Sequence, residues 1–235
     1  MKVEKIKIDS IPSVIWGEKS VKVFIAVHGS MSNKEDETIK ILADNVTSKG
    51  YQLISFDLPE HGERKTDLSY LCKFQNCVED LKKVMKYAKS NYSEISLWAC
   101  SMGAYFSIQA YKDEAIKQCL FLSPVVDMKR IMDHMMLWGN ITEKDLKEKL
   151  EIKTDFGQIM YWDDYSFNME NPIDNWNKNT CILYGDKDNM QDKGTIKKFA
   201  DNFNCELDII KDGEHYFHTE EQLNYYKKWL KRSVI

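Results

Sequence analysis

Val3 to Asp9 alternates apolar and charged residues, which predicts a strand with one solvated face, and Ser13 to Trp16, after Pro12, predicts a second. Together they suggest an antiparallel start. The pattern then changes. VKVFIAVHG, from Val21, is an almost unbroken apolar run rich in β-branched residues, as in a strand buried on both faces. A helical stretch from about Glu35 to Ser48 follows and is stopped by Gly50.

This strand-then-helix phrase recurs. Strands are predicted at YQLISFDL from Tyr51, ISLWAC from Ile95, KQCLFLS from Lys117, TCILYGD from Thr180 and CELDIIKD from Cys205. Helices are predicted at about Asn76–Ser90, Ala104–Tyr111, Lys193–Phe203 and Glu220–Lys231. Alternation on this scale implies an α/β fold, a mostly parallel central sheet flanked by helices. Residues 125–179 break the rhythm. The interval is too long for a plain connection, and IMDHMMLW and TEKDLKEKL, from Ile131 and Thr142, predict two helices within it. We expect one domain over 1–235, with 125–179 a helical cap inserted before the strand at Thr180 and placed over a pocket.

Composition narrows the partners. Lys and Arg number 33 against 37 Asp and Glu, so the chain has no overall basic field for nucleic acid or an anionic membrane. A small-molecule substrate fits better. MKVEKIKIDS lacks the apolar block of a signal peptide, and no run of about 18 apolar residues predicts a membrane span. Six dispersed cysteines, read as reduced thiols serving as small hydrophobes, suggest a cytoplasmic protein. Cys72 and Cys77 lie close together but lack the paired spacings of a zinc site. No motif for a metal, nucleotide or other cofactor is present, so none is expected.

The chemistry centres on LWACSMGAY, Leu97 to Tyr105. Ser101 falls where a buried strand ends and a helix begins, and Ala99 and Gly103 keep both flanks small, as a sharp turn that exposes the serine hydroxyl requires. The pattern A-x-S-x-G in this context resembles the nucleophile elbow of the α/β-hydrolase family, and the resemblance extends over nearly the whole chain. It implies the order nucleophile, acid, histidine, each in a loop after a successive strand. Gly185-Asp186-Lys187-Asp188-Asn189 then resembles the acid loop, and Asp212-Gly213-Glu214-His215-Tyr216-Phe217 the histidine loop.

The resemblance assigns His215 as base and Asp188 as acid by its Gly-x-x-Asp position, with Asp186 as the alternative or as a brace for the turn. It places oxyanion donors at the backbone N–H groups of Ser30, after His28-Gly29, and Met102. SFDLPEHGER resembles the family's Asp-x-Pro-Gly-x-Gly turn, with Glu60 where glycine is common. Cys100, beside the elbow, reads as a packing residue on the opposite side of the strand.

A hydrolase of this type would cleave a small or medium acyl or aryl ester through an acyl-enzyme, Met132, Met135, Met136, Leu137, Trp138, Met160, Tyr161 and Trp162 being either pocket lining or the cap's own core. The same groups serve an acyl-thioesterase or an amidase or peptidase. A non-catalytic binding protein on the same scaffold is the reading from another class.

Overall fold

The computed structural model describes residues 1–235. Ten strands and eight helices follow one another as β1 (Val3–Ile8), β2 (Ile11–Trp16), β3 (Lys22–Val27), α1 (Glu37–Ser48), β4 (Gln52–Phe56), α2 (Phe74–Asn91), β5 (Glu94–Cys100), α3 (Met102–Tyr111) and β6 (Cys119–Leu122). After them come α4 (Met128–Trp138), α5 (Glu143–Lys149), β7 (Glu151–Lys153), β8 (Ile159–Tyr161), α6 (Trp162–Glu170), β9 (Thr180–Gly185), α7 (Lys193–Asn202), β10 (Glu206–Ile210) and α8 (Glu220–Ser233).

Eight strands form one sheet in the order β1-β2-β4-β3-β5-β6-β9-β10. The β1–β2 and β2–β4 pairs are antiparallel and every later pair is parallel. The antiparallel start is as the alternation predicted, but Pro12 lies inside β2 opposite Lys7, not between the strands.

Alternation of side chains builds a core on each face of the sheet. Along β5, Ile95, Leu97 and Ala99 join α2, α3 and α7, while Trp98 faces α1 and α8. From β3 the chain adds β4 on one side and later β5 on the other, so the strand order reverses at the β3/β5 boundary. The carboxyl ends of strands at such a reversal bound a natural crevice. Gly29 and Ser101 both lie there.

The segment between β6 and β9 holds the two predicted helices as α4 and α5, the latter started by a reciprocal Thr142–Asp145 capping box. It also holds the β7–β8 hairpin and α6, which periodicity did not predict. Three-residue strands and a nine-residue helix carry too little pattern to be seen locally. The segment is fastened to the main body through α6: Asp164 accepts from the Phe74 N–H at 2.8 Å, Tyr105 donates to Asn168 at 3.1 Å, and Lys73 pairs with Asp163.

Candidate active site

β5 delivers Ser101 at its end, and the serine backbone lies at φ 52, ψ −126. A non-glycine residue there carries strain on the order of 1–3 kcal/mol and persists only where its surroundings enforce it. Here they do. A Cβ on Gly103 would stand 2.4 and 2.5 Å from the carbonyl oxygens of His28 and Val27, so only glycine lets α3 start this close to β3. Ala99 is buried, and the Ser101 carbonyl accepts from Val125 N–H at 3.0 Å.

Asp188 and His215 arrive from the ends of β9 and β10. The loops after β9 and β10 touch at Gly185 and Gly213, where a Cβ on Gly185 would lie 2.3 Å from the Gly213 carbonyl oxygen. That approach brings the side chains together: His215 Nε2 is 2.8 Å from Ser101 Oγ, and His215 Nδ1 is 2.7 Å from Asp188 Oδ2. The Asp188 side chain is fully buried, and its other oxygen accepts the N–H groups of Met190 and Gln191 at 2.8 and 3.1 Å. With Asp188 a carboxylate, the shared proton belongs on Nδ1, which leaves Nε2 to accept from the serine hydroxyl. Asp186 points elsewhere and accepts from Asp212 N–H at 2.6 Å, bracing the two loops.

The N–H groups of Ser30 and Met102 donate to no carbonyl or side chain of the protein. The Ser30 loop is held by a cluster of ion pairs around Lys34. Lys34 is buried and pairs with Asp57 at 2.6 Å and Glu63 at 2.8 Å, while its N–H also donates to Asp57. Burial opposes the Lys34 charge, but its hydrogen bonds to Asp57 and Glu63 outweigh burial and raise its pKa. Asp57 carried a signal in the DLP turn; Lys34 carried none.

Two further histidines line the same loops. His28 Nε2 accepts from Leu58 N–H at 3.1 Å, so its Nδ1 donates to the Gly29 carbonyl, and burial lowers its pKa to about 4. His61 Nε2 accepts from Met31 N–H at 3.2 Å. His218 is exposed and His134 belongs to α4, so neither reaches Ser101. Cys100 packs toward the α1–α8 face, and burial pushes its thiol up to about 12. Gln191 is a residue that sequence reasoning missed. Its side chain accepts from Val126 and Asp127 N–H at 3.0 and 2.8 Å and so joins the acid loop to the start of the inserted segment.

The methionine-rich residues divide. Met132, Met136 and Met160 are buried in the core that the segment shares with one face of the main sheet, whereas Leu137 and Trp138 are 75% and 74% exposed. A cavity of about 210 Å³ opens between α3, α4 and α6, lined by residues including Tyr105, Val126, Met128, Asn168 and Ile173.

The fold that presents this arrangement is that of the α/β hydrolases. Residues 18–161, more than half of the chain, match the family described as serine aminopeptidase S33 (Hydrolase_4), and the chain belongs to that family. The match includes the elbow and the Ser30 loop and ends before Asp188 and His215.

Similar solved structures include Est1E from Butyrivibrio proteoclasticus with ferulic acid bound, 18% identical with a TM-score of 0.75 over 98% of this chain and 99% of that one. The Pyrococcus furiosus esterase PF2001 is 19% identical, with a TM-score of 0.68 over 100% and 91%. Mouse α/β hydrolase domain-containing protein 10 is 14% identical, with a TM-score of 0.76 over 99% and 98%. No curated protein sequence gives a significant match. No helix is long and apolar enough to cross a membrane.

Proposed function

We propose that the chain is a cytoplasmic serine hydrolase that cleaves a carboxylic ester of small or medium acyl or aryl type through an acyl-enzyme. One observation carries this reading: a strained elbow serine lies 2.8 Å from an imidazole whose other nitrogen lies 2.7 Å from a buried carboxylate. Ser101 Oγ attacks the ester carbonyl as His215 Nε2 takes its proton. Asp188 holds the ring and stabilises the imidazolium. The Ser30 and Met102 N–H groups receive the oxyanion, and their lack of another acceptor supports that role. His215 returns the proton to the leaving alcohol, then activates water to release the acid.

Residues 125–179 act as a cap in this reading, and the cavity beneath α4 and α6 is the proposed seat of the acyl or aryl group. It begins one residue beyond Val125, which binds the Ser101 carbonyl, and Tyr105 lies one helical turn beyond the serine, about 6 Å along α3. Its size suits a short chain or a single ring. Est1E, solved with ferulic acid, adds hydroxycinnamate esters to the substrates worth testing. The six free thiols support a reducing compartment.

The test is fluorophosphonate labelling of wild type and Ser101→Ala, with a panel of p-nitrophenyl esters, hydroxycinnamate esters, an acyl thioester and aminoacyl p-nitroanilides. Labelling that requires Ser101, together with ester turnover above thioester and amide turnover, supports the proposal. Preference for anilides would move the assignment to a peptidase, and folded protein that neither labels nor turns over would point to a binding role.

A further inference from the structure

Cys72 and Cys77 take no part in the site above. Their sulfurs are 3.6 Å apart, Cys72 in the segment entering α2 and Cys77 in that helix's first turn. Cys77 is buried and held by the helix, whereas Cys72 is partly exposed and lies in the non-helical segment before it. A disulfide bond is about 2.05 Å long, so closure requires an approach of roughly 1.5 Å, and Cys72 is the partner placed to move.

The surroundings divide the chemistry between the two thiols. A hydrogen bond with Cys77, against the opposing effect of burial, lowers the Cys72 thiol below the ordinary thiol range. Burial raises Cys77, and it likewise raises Cys100, Cys181 and Cys205. The thiolate is the attacking form, and Cys72 is therefore the sulfur that reacts first.

We infer that Cys72 and Cys77 are a redox-active dithiol that a hydroperoxide closes to an intramolecular disulfide, and that closure loosens the loop carrying Ser30. Cys72 thiolate attacks the peroxide O–O bond, giving a sulfenic acid and, after protonation, water or an alcohol. The Cys77 thiol then displaces the sulfenic oxygen as water, forming the S–S bond. Two electrons pass from the dithiol to one hydroperoxide.

The route to the loop consists of two hydrogen bonds. Cys72 N–H donates to Glu60 Oε2 at 2.6 Å, and Glu60 is held at φ 59, where the family's glycine would be at ease. The next residue, His61, accepts from Met31 N–H at 3.2 Å, and Met31 follows Ser30. Drawing Cys72 toward the fixed Cys77 pulls on Glu60, and the weak, solvent-near Met31 contact is the one that yields.

The experiment treats the reduced, full-length protein with hydrogen peroxide, alkylates remaining thiols after denaturation, and maps tryptic peptides. Two of the six thiols should be lost per chain, with the peptide ending at Lys73 joined to the one beginning at Phe74, and dithiothreitol should restore both. Cys72→Ser and Cys77→Ser should each abolish the link. Hydrogen exchange at the Met31 amide should quicken about tenfold on oxidation and recover on reduction. Six alkylated cysteines after peroxide would overturn the dithiol. A linked pair with unchanged Met31 exchange would overturn the coupling to the loop. Slower ester turnover in the oxidised form is a corollary that rests on the function proposed above; reduced protein without turnover would count against that function and leave the thiol and exchange results to decide this inference.

Discussion

The strand ends that carry Ser101, Asp188 and His215 and the segment between β6 and β9 are built on opposite terms. At the strand ends, each candidate group is fixed by backbone that has nowhere else to go: α3 meets β3 at Gly103, and the acid and histidine loops meet at Gly185 and Gly213. The inserted segment has short helices, a two-stranded hairpin of its own and exposed Leu137 and Trp138, and it is fastened mainly through α6. Reacting atoms held to within a fraction of an ångström need the first kind of support. A surface that receives varied groups tolerates the second.

The largest break in this comparison should come from the fixed side. Ser101→Ala should lower ester turnover by about 10⁴-fold or more with an unchanged unfolding midpoint, checked by initial rates and urea titration. Asp188→Asn should cost about 10⁴-fold as well, because an amide facing Nδ1 favours the wrong tautomer.

Next in size is an effect on stability centred on the inserted segment. Burial pushes the Asp164 carboxyl up to about 7, with the Phe74 N–H opposing it. A carboxyl raised in the folded state favours folding while protonated. Its contribution is complete below about pH 4 and is lost as pH rises through about 7. Asp164→Asn keeps an acceptor for Phe74 and removes the charge. Urea unfolding between pH 4.5 and 8 should show wild type losing on the order of a few kcal/mol that the variant retains; parallel curves would refute the assignment.

Smaller still is Asp186→Asn. The amide oxygen still accepts from Asp212 N–H, and turnover should change by less than about threefold, since that bond only braces the loop. A loss matching that of Asp188→Asn would transfer the acid role to Asp186. The smallest expected effect is from Trp138→Ala, within about 0.5 kcal/mol in stability. Any change in KM should grow with the acyl group, which would distinguish substrate contact from an idle surface.

Local pattern made much of this legible. Apolar runs gave the parallel strands, and the small flanks of Ser101 required a tight turn whatever packed around it. The family resemblance added chain order and a Gly-x-x-Asp position that favoured Asp188 over Asp186. The inserted segment was legible only in α4 and α5, whose periodicity is long enough to register, while β7, β8 and α6 depend on one another for their form. Glu60 shows the limit within a motif: its departure from glycine was visible, but its positive φ and its bond to Cys72 N–H were not.

By itself the sequence determined the alternation of strands and helices, the elbow at Ser101 and the residues eligible for each role, because these rest on neighbours within a few positions of the chain. Only the tertiary structure decided that Lys34 is buried against Asp57, that Gln191 links the acid loop to Val126, and that Cys72 and Cys77 lie sulfur to sulfur. The first two join residues distant in sequence. The third depends on how one loop enters a helix. Contacts of both kinds are set by packing and desolvation among several elements at once, and a one-dimensional pattern carries no record of them.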